Sequence, residues 1–445
     1  MSDSGTAVPR PSLSVLDGVA IMVGIVVGIG IFKTPPLVAA NVDSEFAFIG
    51  VWLLGGLVTL VGALCYAELA SGYPHAGGEY HFLSRALGRP IAVMFGWARG
   101  TVIQTGAIAA VAFVLGDYTA ELVPLGPYGP AIYAALAVVA LTGLNLIGTP
   151  QSKRVQIAFT ILTIATLLMI IAAGFLADGD RPVPVVAEGG RAGALGMAMI
   201  LVLLTYGGWS EAAYLSAETK DPSRNMVRVL LIGTFLLVAL YGLVNAALLS
   251  AFGLEGLRGS SAVAADLMNR VAGEVGGVVL ALIVVGAALS TLNATIFTGA
   301  RVYYALGRDL RLLPLGTWNG RRGNPARGIL LQGIIALGLI GLGAATRDGF
   351  QSMVDYTAPV FWTFLFLVGI SLFVLRRREP DRHLPFRVPL YPLIPALFCA
   401  TCLYMLYSSI VYTGIGALVG IAVVAAGLPL LLLSGARTVV PKPAE

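Results

Sequence analysis

Gly24-Ile25-Val26-Val27-Gly28-Ile29-Gly30-Ile31-Phe32 runs on into Lys33-Thr34-Pro35-Pro36, and far downstream comes Leu204-Thr205-Tyr206-Gly207-Gly208-Trp209-Ser210-Glu211. Both stretches sit inside long apolar runs, and both hold glycines at points where a helix opens cheaply, because glycine has no Cβ to restrict its backbone. Gly24 and Gly28 also make a small-xxx-small pair, which on its own reads as close helix packing. What separates the two readings is the pairing of the breaks. Irregular backbone at membrane depth is tolerated only where it lines a cavity or is buried in protein. Two interrupted helices in corresponding places of two halves of a chain point to a binding site between those halves.

Working outward, the composition says why these runs belong in lipid. Of 445 residues 57% are hydrophobic and 11% charged, against about 25% charged in a soluble domain. That excludes a soluble globule and a disordered chain alike. The 55 glycines suit helices that approach closely in a bilayer. Runs of about 20 apolar residues are expected near 14–41, 46–70, 90–121, 128–148, 153–177, 194–217, 225–252, 276–305, 327–346, 349–375, 391–412 and 413–434. The fold class is therefore an all-α polytopic membrane protein of 12 transmembrane helices, with helices 1 and 6 discontinuous. Residues 77–87 read as an amphipathic helix at the cytoplasmic face, and 259–273 as a short outer helix capped by Ser260 and Ser261.

The basic residues set the orientation. With the N-terminus inside, loops on the cytoplasmic side hold 21 Lys and Arg, and outer loops hold five: Arg181, Arg191, Arg258, Arg270 and Arg347. Both termini are thus expected in the cytoplasm and the protein in the cell membrane. Residues 1–10 lack the apolar core of a signal peptide, so the first span is expected to direct insertion. The net charge of +5 reflects these loops and implies no nucleic-acid partner. Cys65, Cys399 and Cys402 lie in apolar runs, which argues for packing over a disulfide framework.

An opened helix exposes N–H groups at the start of its second half, beside the positive end of the helix dipole, and carbonyls at the end of its first half. Such a site fits the zwitterionic head of an amino acid. The expected substrate contacts are Gly28, Ile29, Gly30, Ile31, Tyr206, Gly207, Gly208 and Trp209, joined by Leu204 and Asn293 only on the resemblance of their flanking motifs to a known family. The charges left inside spans are functional suspects. Foremost is Arg99, about 15 Å into its span at 1.5 Å per residue, with Asp17, Glu211 or a substrate acid as partner. A structural ion pair is the alternative reading. Lys33 is expected to snorkel or pair locally. Glu68 and Glu218 are expected to pair with loop arginines, and His75, His81 and His383 to be surface residues. No paired acid–base or metal-ligand set and no Gly-rich phosphate loop is present, so the chain does not read as an enzyme.

At these residues the sequence resembles the amino acid–polyamine–organocation superfamily, and within it the L-type amino acid transporter family. Gly28-Ile29-Gly30-Ile31-Phe32 is similar to that family's Gly-Ser-Gly-Ile-Phe. Gly62 to Leu69, running on to Pro74–Tyr80, resembles its second span and the loop after it. Tyr206-Gly207-Gly208-Trp209 matches light subunits, Lys220-Asp221-Pro222-Ser223-Arg224-Asn225 is similar to Lys-Asn-Pro-x-Arg-Asn, and Leu292 to Arg301 resembles span 8. The resemblance implies a five-plus-five inverted repeat, with 14–177 as the first repeat and 178–375 as the second. Around them lie tails at 1–13 and 435–445, a linker at 376–390 and two further helices at 391–434. It also implies amino-acid transport by alternating access.

Four departures bear on these implications. Ile29 replaces a hydroxyl residue, Thr163 stands where many members carry a lysine, and Leu204 replaces an aromatic gate. The loop 121–130 has no cysteine, so no disulfide-linked heavy subunit is expected. No cofactor is expected. Sodium is a candidate coupling ion, held by Val27, Thr163, Ser290 and Thr291, with proton coupling and exchange as alternatives. The substrate is expected to be a neutral amino acid, with an amine or a sensing role on the same fold left open.

Overall fold

The computed structural model describes residues 10–28, 30–177, 195–260, 263–310, 315–345, 349–413 and 415–434. They form helices joined by short loops. The first span opens at Ser14, whose hydroxyl accepts from the Asp17 amide while the Asp17 carboxylate accepts from the Ser14 amide, a capping box that satisfies two orphan donors. It is divided into α1 (Val15–Val26) and α2 (Gly30–Ala39), bent by 49°. There follow α3 (Glu45–Gly72), α4 (Glu79–Leu87) and α5 (Arg89–Ala98). A π-helical turn (Arg99–Ile103) leads into α6 (Gln104–Leu122), then α7 (Gly129–Ile147) and α8 (Thr149–Leu176).

The second interrupted span is α9 (Leu195–Thr205) followed by a 3₁₀ helix (Trp209–Leu215). The chain continues through α10 (Pro222–Gly259), α11 (Val263–Ala272), α12 (Glu274–Asp309), α13 (Ala326–Ala345), α14 (Gly349–Arg378), α15 (Leu393–Thr413), α16 (Ile415–Ala425) and α17 (Leu430–Ser434). The expected amphipathic helix at 77–87 and the short helix near 259–273 are both present, as α4 and α11. Ser260 donates to the Asp266 carboxylate, and Ser261 lies outside the described residues.

Ten described helices are long and apolar enough to cross a membrane, eleven if the bent pair α1–α2 counts as one span. One further span is expected, at 413–434. The stretch 413–434 does not form a twelfth helix of that length: its apolar helix runs only Leu418–Leu432, interrupted by a turn before α17. The cause is in Gly427-Leu428-Pro429, since a proline supplies no N–H to the ladder and crowds the turn before it. Large apolar side chains such as Phe46, Phe235 and Leu432 stand exposed on the perimeter, as a lipid-facing surface requires.

Buried charges cross-link the helices. Arg376 on α14 forks onto Glu68 on α3, and Lys153 on α8 reaches Asp17 on α1 at 3.1 Å. Arg301 on α12 donates to Glu218 at 2.6 Å with both side chains 2% exposed, and its guanidinium lies 3.9 Å from the Phe297 ring centroid. Glu68 and Glu218 thus pair with arginines, as expected, though with arginines on helices α14 and α12 and not in loops. Removing one partner of a buried pair strands the other charge, at a cost of about 3–5 kcal/mol. Glu218→Gln is therefore expected to lower the thermal unfolding midpoint of the purified protein clearly below wild type, whereas substituting the exposed Lys33 leaves it unchanged; a melting curve in detergent measures both.

Candidate functional site

The two breaks lie against each other. Past Val26 the ladder tightens: the Val27 amide donates to Val23 and the Gly28 amide to the Val26 carbonyl, each at 2.8 Å. The Tyr241 hydroxyl, from α10, donates to that same carbonyl at 2.8 Å and lies 3.4 Å from the Thr205 carbonyl at the end of α9. One tyrosine therefore bridges both interruptions. Gly208 has φ +100°, and a Cβ there would lie 2.7 Å from Cγ2 of Ile25, so both conformation and contact require glycine. A Cβ on Gly30 would come within 3.1 Å of Thr205. Thr205 and Thr34 share a hydrogen bond of 2.9 Å between their hydroxyls. Beyond each break the first N–H groups of the new helix have no acceptor in their own ladder.

Gly30 thus lies on Thr205 and Gly208 on Ile25, whereas a Cβ on Gly28 would face Thr291 and one on Gly207 its own turn; Ile31 is buried. Ile29 lies outside the described residues. Tyr206 packs on Tyr241, ring centroids 4.9 Å apart, and its hydroxyl reaches the Trp52 carbonyl at 3.3 Å. Trp209 turns the other way and stacks edge-on against Tyr66 at 4.9 Å, fastening the 3₁₀ helix to α3. Leu204 is 49% exposed and points away from the junction.

The polar residues of α8 and α12 form a buried network beside the first break. Thr291 donates to the Gly24 carbonyl at 3.0 Å and lies 3.4 Å from that of Ile25. Ser290 accepts from the Gln156 side chain at 3.0 Å. The Asn293 amide donates to Gln156 and accepts from Asn145, each at 2.9 Å, so its hydrogen-bonding groups are engaged by neighbouring helices. Thr163 donates back to Phe159 in its own helix. Val27 is fully buried.

Arg99 opens the π-helical turn of the third span and is 1% exposed. Its guanidinium donates to Glu211 at 2.5 Å and to Glu79 at 3.3 Å, and stacks 4.2 Å from the Tyr214 ring centroid. Of the expected partners Glu211 is in place, while Asp17 belongs to Lys153. Glu79 escaped the sequence reading because an amphipathic helix shows only its own polar face, not what covers it. Glu211 also accepts from Thr298 at 2.7 Å and, at the long distance of 3.5 Å, from Gln104. Glu79 accepts from Tyr66 at 2.5 Å and Tyr214 at 2.7 Å. Lys33 is exposed and lies over the Tyr118 ring. His75 and His81 stack on each other with centroids 4.4 Å apart; burial, with His75 and Arg85 nearby, pushes His81 down to about 3. A cavity of ≈ 170 Å³ lined by Arg10, Thr149, Glu218, Trp318 and Arg322 touches neither break.

Among families of known proteins, a model described as amino acid permease matches residues 13–430. The chain belongs to the amino acid permease family. The permease is 30% identical to the b(0,+)-type amino acid transporter 1 of Mus musculus over 412 residues, which is 90% of this chain and 83% of that one. It is 28% identical to the cystine/glutamate transporter of Homo sapiens over 421 residues, 92% and 82% of the two chains. It is also 28% identical to the large neutral amino acids transporter small subunit 2 of Mus musculus over 452 residues, 97% and 82% of the two. The permease is thus a multi-pass membrane protein and an amino acid transporter, not an enzyme.

Tyr241 was not singled out from the sequence, yet its hydroxyl stands in for the amide that the first break removes. Tyr241→Phe leaves the buried Val26 carbonyl with the Gly28 amide as its remaining donor, a loss of about 0.5–1.5 kcal/mol. A lowered unfolding midpoint together with weakened substrate binding is the expected outcome, read by melting curves with and without amino acid; the conservative change of Phe235 to Leu on the lipid-facing surface serves as the control.

Proposed function

We propose that the permease carries a neutral amino acid across the cell membrane by alternating access, with the substrate's ammonium and carboxylate groups held between the two breaks. The observation that carries this reading is the meeting of the two breaks inside the protein, Gly30 on Thr205 and Gly208 on Ile25 with Tyr241 between the Val26 and Thr205 carbonyls, where carbonyls end one half-helix and amides begin the next. Gly28, Ile29, Gly30 and Ile31 supply backbone to the carboxylate, and Gly207 and Gly208 complete the other side. Tyr206, Trp209 and Asn293 then shape the junction from further off, Tyr206 and Trp209 by aromatic packing and Asn293 through the network that holds α8 and α12 in place, while Leu204 takes no part in it. The relatives' names supply amino acids as the substrate class; the apolar Ile31 beside the junction favours a neutral side chain.

The twelve-span, five-plus-five reading, with both termini in the cytoplasm, rests on the sorting of basic loop residues and on the corresponding positions of the two breaks. The three thiols, Cys65, Cys399 and Cys402, are buried, which supports a chain that works without a disulfide-linked partner. A second reading concerns coupling. The Thr291 hydroxyl beside the Gly24 and Ile25 carbonyls, next to Ser290 and Val27, gathers uncharged oxygens of the kind sodium prefers; Thr163, which donates to Phe159, keeps oxygen lone pairs that could join them.

Counterflow into proteoliposomes, with a panel of labelled neutral, acidic and basic amino acids, tests the transport reading. Saturable counterflow of at least one neutral amino acid is expected, and its absence across the panel would overturn the proposal. In the same vesicles an imposed sodium gradient decides the second reading: Thr291→Ala should weaken apparent sodium affinity, and uptake indifferent to sodium at every substrate level removes it.

A further inference from the structure

Glu79, Glu211 and Arg99 are the buried charges of one cluster, and they do not balance. Two carboxylates face a single guanidinium, with exposures of 3%, 7% and 1%. Arg99 is closer to Glu211, at 2.5 Å, than to Glu79, at 3.3 Å, so Glu79 is the carboxylate in excess. An unpaired ionised carboxylate in a dry interior is costly, and the usual remedy is a proton. We propose that Glu79 is a proton-binding site, and that its protonation loosens the tie between α4 and Arg99 that holds α4 against the 3₁₀ half of the sixth span.

The partners around Glu79 suit that role. Arg99 only donates. The other two hydrogen bonds come from the hydroxyls of Tyr66 and Tyr214, and a hydroxyl either donates or accepts. Glu79 thus accepts three hydrogen bonds when ionised. When Oε1 carries a proton it donates to Tyr66, while Oε2 keeps its bonds from Tyr214 and Arg99. The step is a simple uptake: a proton from solvent joins the carboxylate, and the cluster passes from net negative to neutral. A cavity of ≈ 10 Å³ bounded by Glu79, Arg99, Phe95 and Phe364 has room for about one water next to the carboxyl.

The groups facing Glu79 can be named element by element. α3 presents Tyr66, the third span presents Arg99, and the sixth presents Tyr214 and Glu211. α14 presents the apolar Phe361, Phe364 and Leu365. Asp309 of α12 is taken by Tyr80 at 2.7 Å, and on α4 itself Arg85 is taken by Glu379. Burial raises the Glu79 carboxyl above the ordinary carboxylate range, against the opposing pull of Arg99 and of the Tyr66 hydroxyl. Because the group is raised, its proton is present at low pH and lost as pH rises.

The proposal rests on the transport reading only for its consequence, so the test reads the two separately. Infrared difference spectra of the purified full chain, stepped from about pH 8 to 5, should show a carboxylic-acid carbonyl band that grows on acidification and is missing in Glu79→Gln. Counterflow of the best neutral amino acid from the panel should rise as pH falls, by up to about tenfold per unit above the titration midpoint, and lose that dependence in Glu79→Gln. If that variant does not fold, Tyr66→Phe takes its place. Removing the hydroxyl that favours the ionised form should move the midpoint to higher pH. A band unchanged in Glu79→Gln, a midpoint unmoved in Tyr66→Phe, or wild-type counterflow flat across the range overturns the proposal. A band that behaves as expected with no counterflow at any pH supports the proton site and strikes the transport reading instead.

Discussion

Inside a bilayer no water is at hand to satisfy a backbone group that leaves its helix ladder, and the arrangement of this permease follows from that constraint. Opening α1 from α2 frees the Val26 carbonyl; opening α9 from the 3₁₀ helix frees that of Thr205. Both face the hydroxyl of Tyr241. The glycines are needed for a complementary reason. Gly208 has a positive φ and lies so close to the opposite break that a side chain would collide with Ile25, while one on Gly30 would press tightly on Thr205. Irregular backbone is held here by close contact between two irregularities, each supplying what the other lacks.

The same constraint explains the polar residues of α8 and α12. A Cβ at Gly24 would fall 2.7 Å from Thr160 and 2.8 Å from Ser290, as well as onto the Gln156 amide, so α1 lies directly on this polar face. Thr160 donates to the Ala20 carbonyl at 2.9 Å and Thr291 to that of Gly24. The Ala20 carbonyl lies within the α1 ladder, whereas that of Gly24 lacks its ladder donor because the Gly28 amide turns to Val26; Thr291 supplies the missing bond. Gln156, Asn293, Asn145 and Ser152 complete the network behind them. A network of this kind specifies one packing, since each member left unpaired would be expensive.

Much of this was legible in the sequence, for identifiable reasons. Gly207-Gly208 and Gly28-x-Gly30 stand out because glycine marks backbone departures locally, and Arg99 stands out because charge is rare in an apolar run. The pairing of Glu68 and Glu218 with arginines followed from their place at span ends. What was not legible depends on partners distant in sequence. Nothing near Glu79 announces that α3, the third span and the sixth span close over it. Asn293 has the chemistry of a substrate contact, yet neighbouring helices engage it. Leu204 lies one residue before Thr205, and that step around the helix carries it from the junction to the exposed side. At 413–434 the apolar run gave no hint of where its helix is interrupted, yet Pro429, with its missing amide, is a local signal of that point.

One device recurs and bears on how such a protein moves. The π-helical turn after Arg99 interrupts the regular ladder of the third span, and hydroxyls fill in: Tyr303 donates to the Gly100 carbonyl at 2.5 Å and Tyr356 to that of Thr101 at 3.0 Å. With Tyr241 at the first break, three tyrosines on three different helices donate to backbone carbonyls at irregular points. A ladder bond is lost when its helix unwinds, because donor and acceptor belong to the same segment. A tyrosine hydroxyl on a neighbouring helix has a rotatable bond and a long reach, so it keeps an acceptor while the segments shift, or passes to a second one. Tyr241 already stands between two acceptors, at 2.8 Å and 3.4 Å. A rearrangement that exchanges those two distances would move one half-helix against another without leaving a buried carbonyl bare, which is the condition any movement inside a bilayer has to meet.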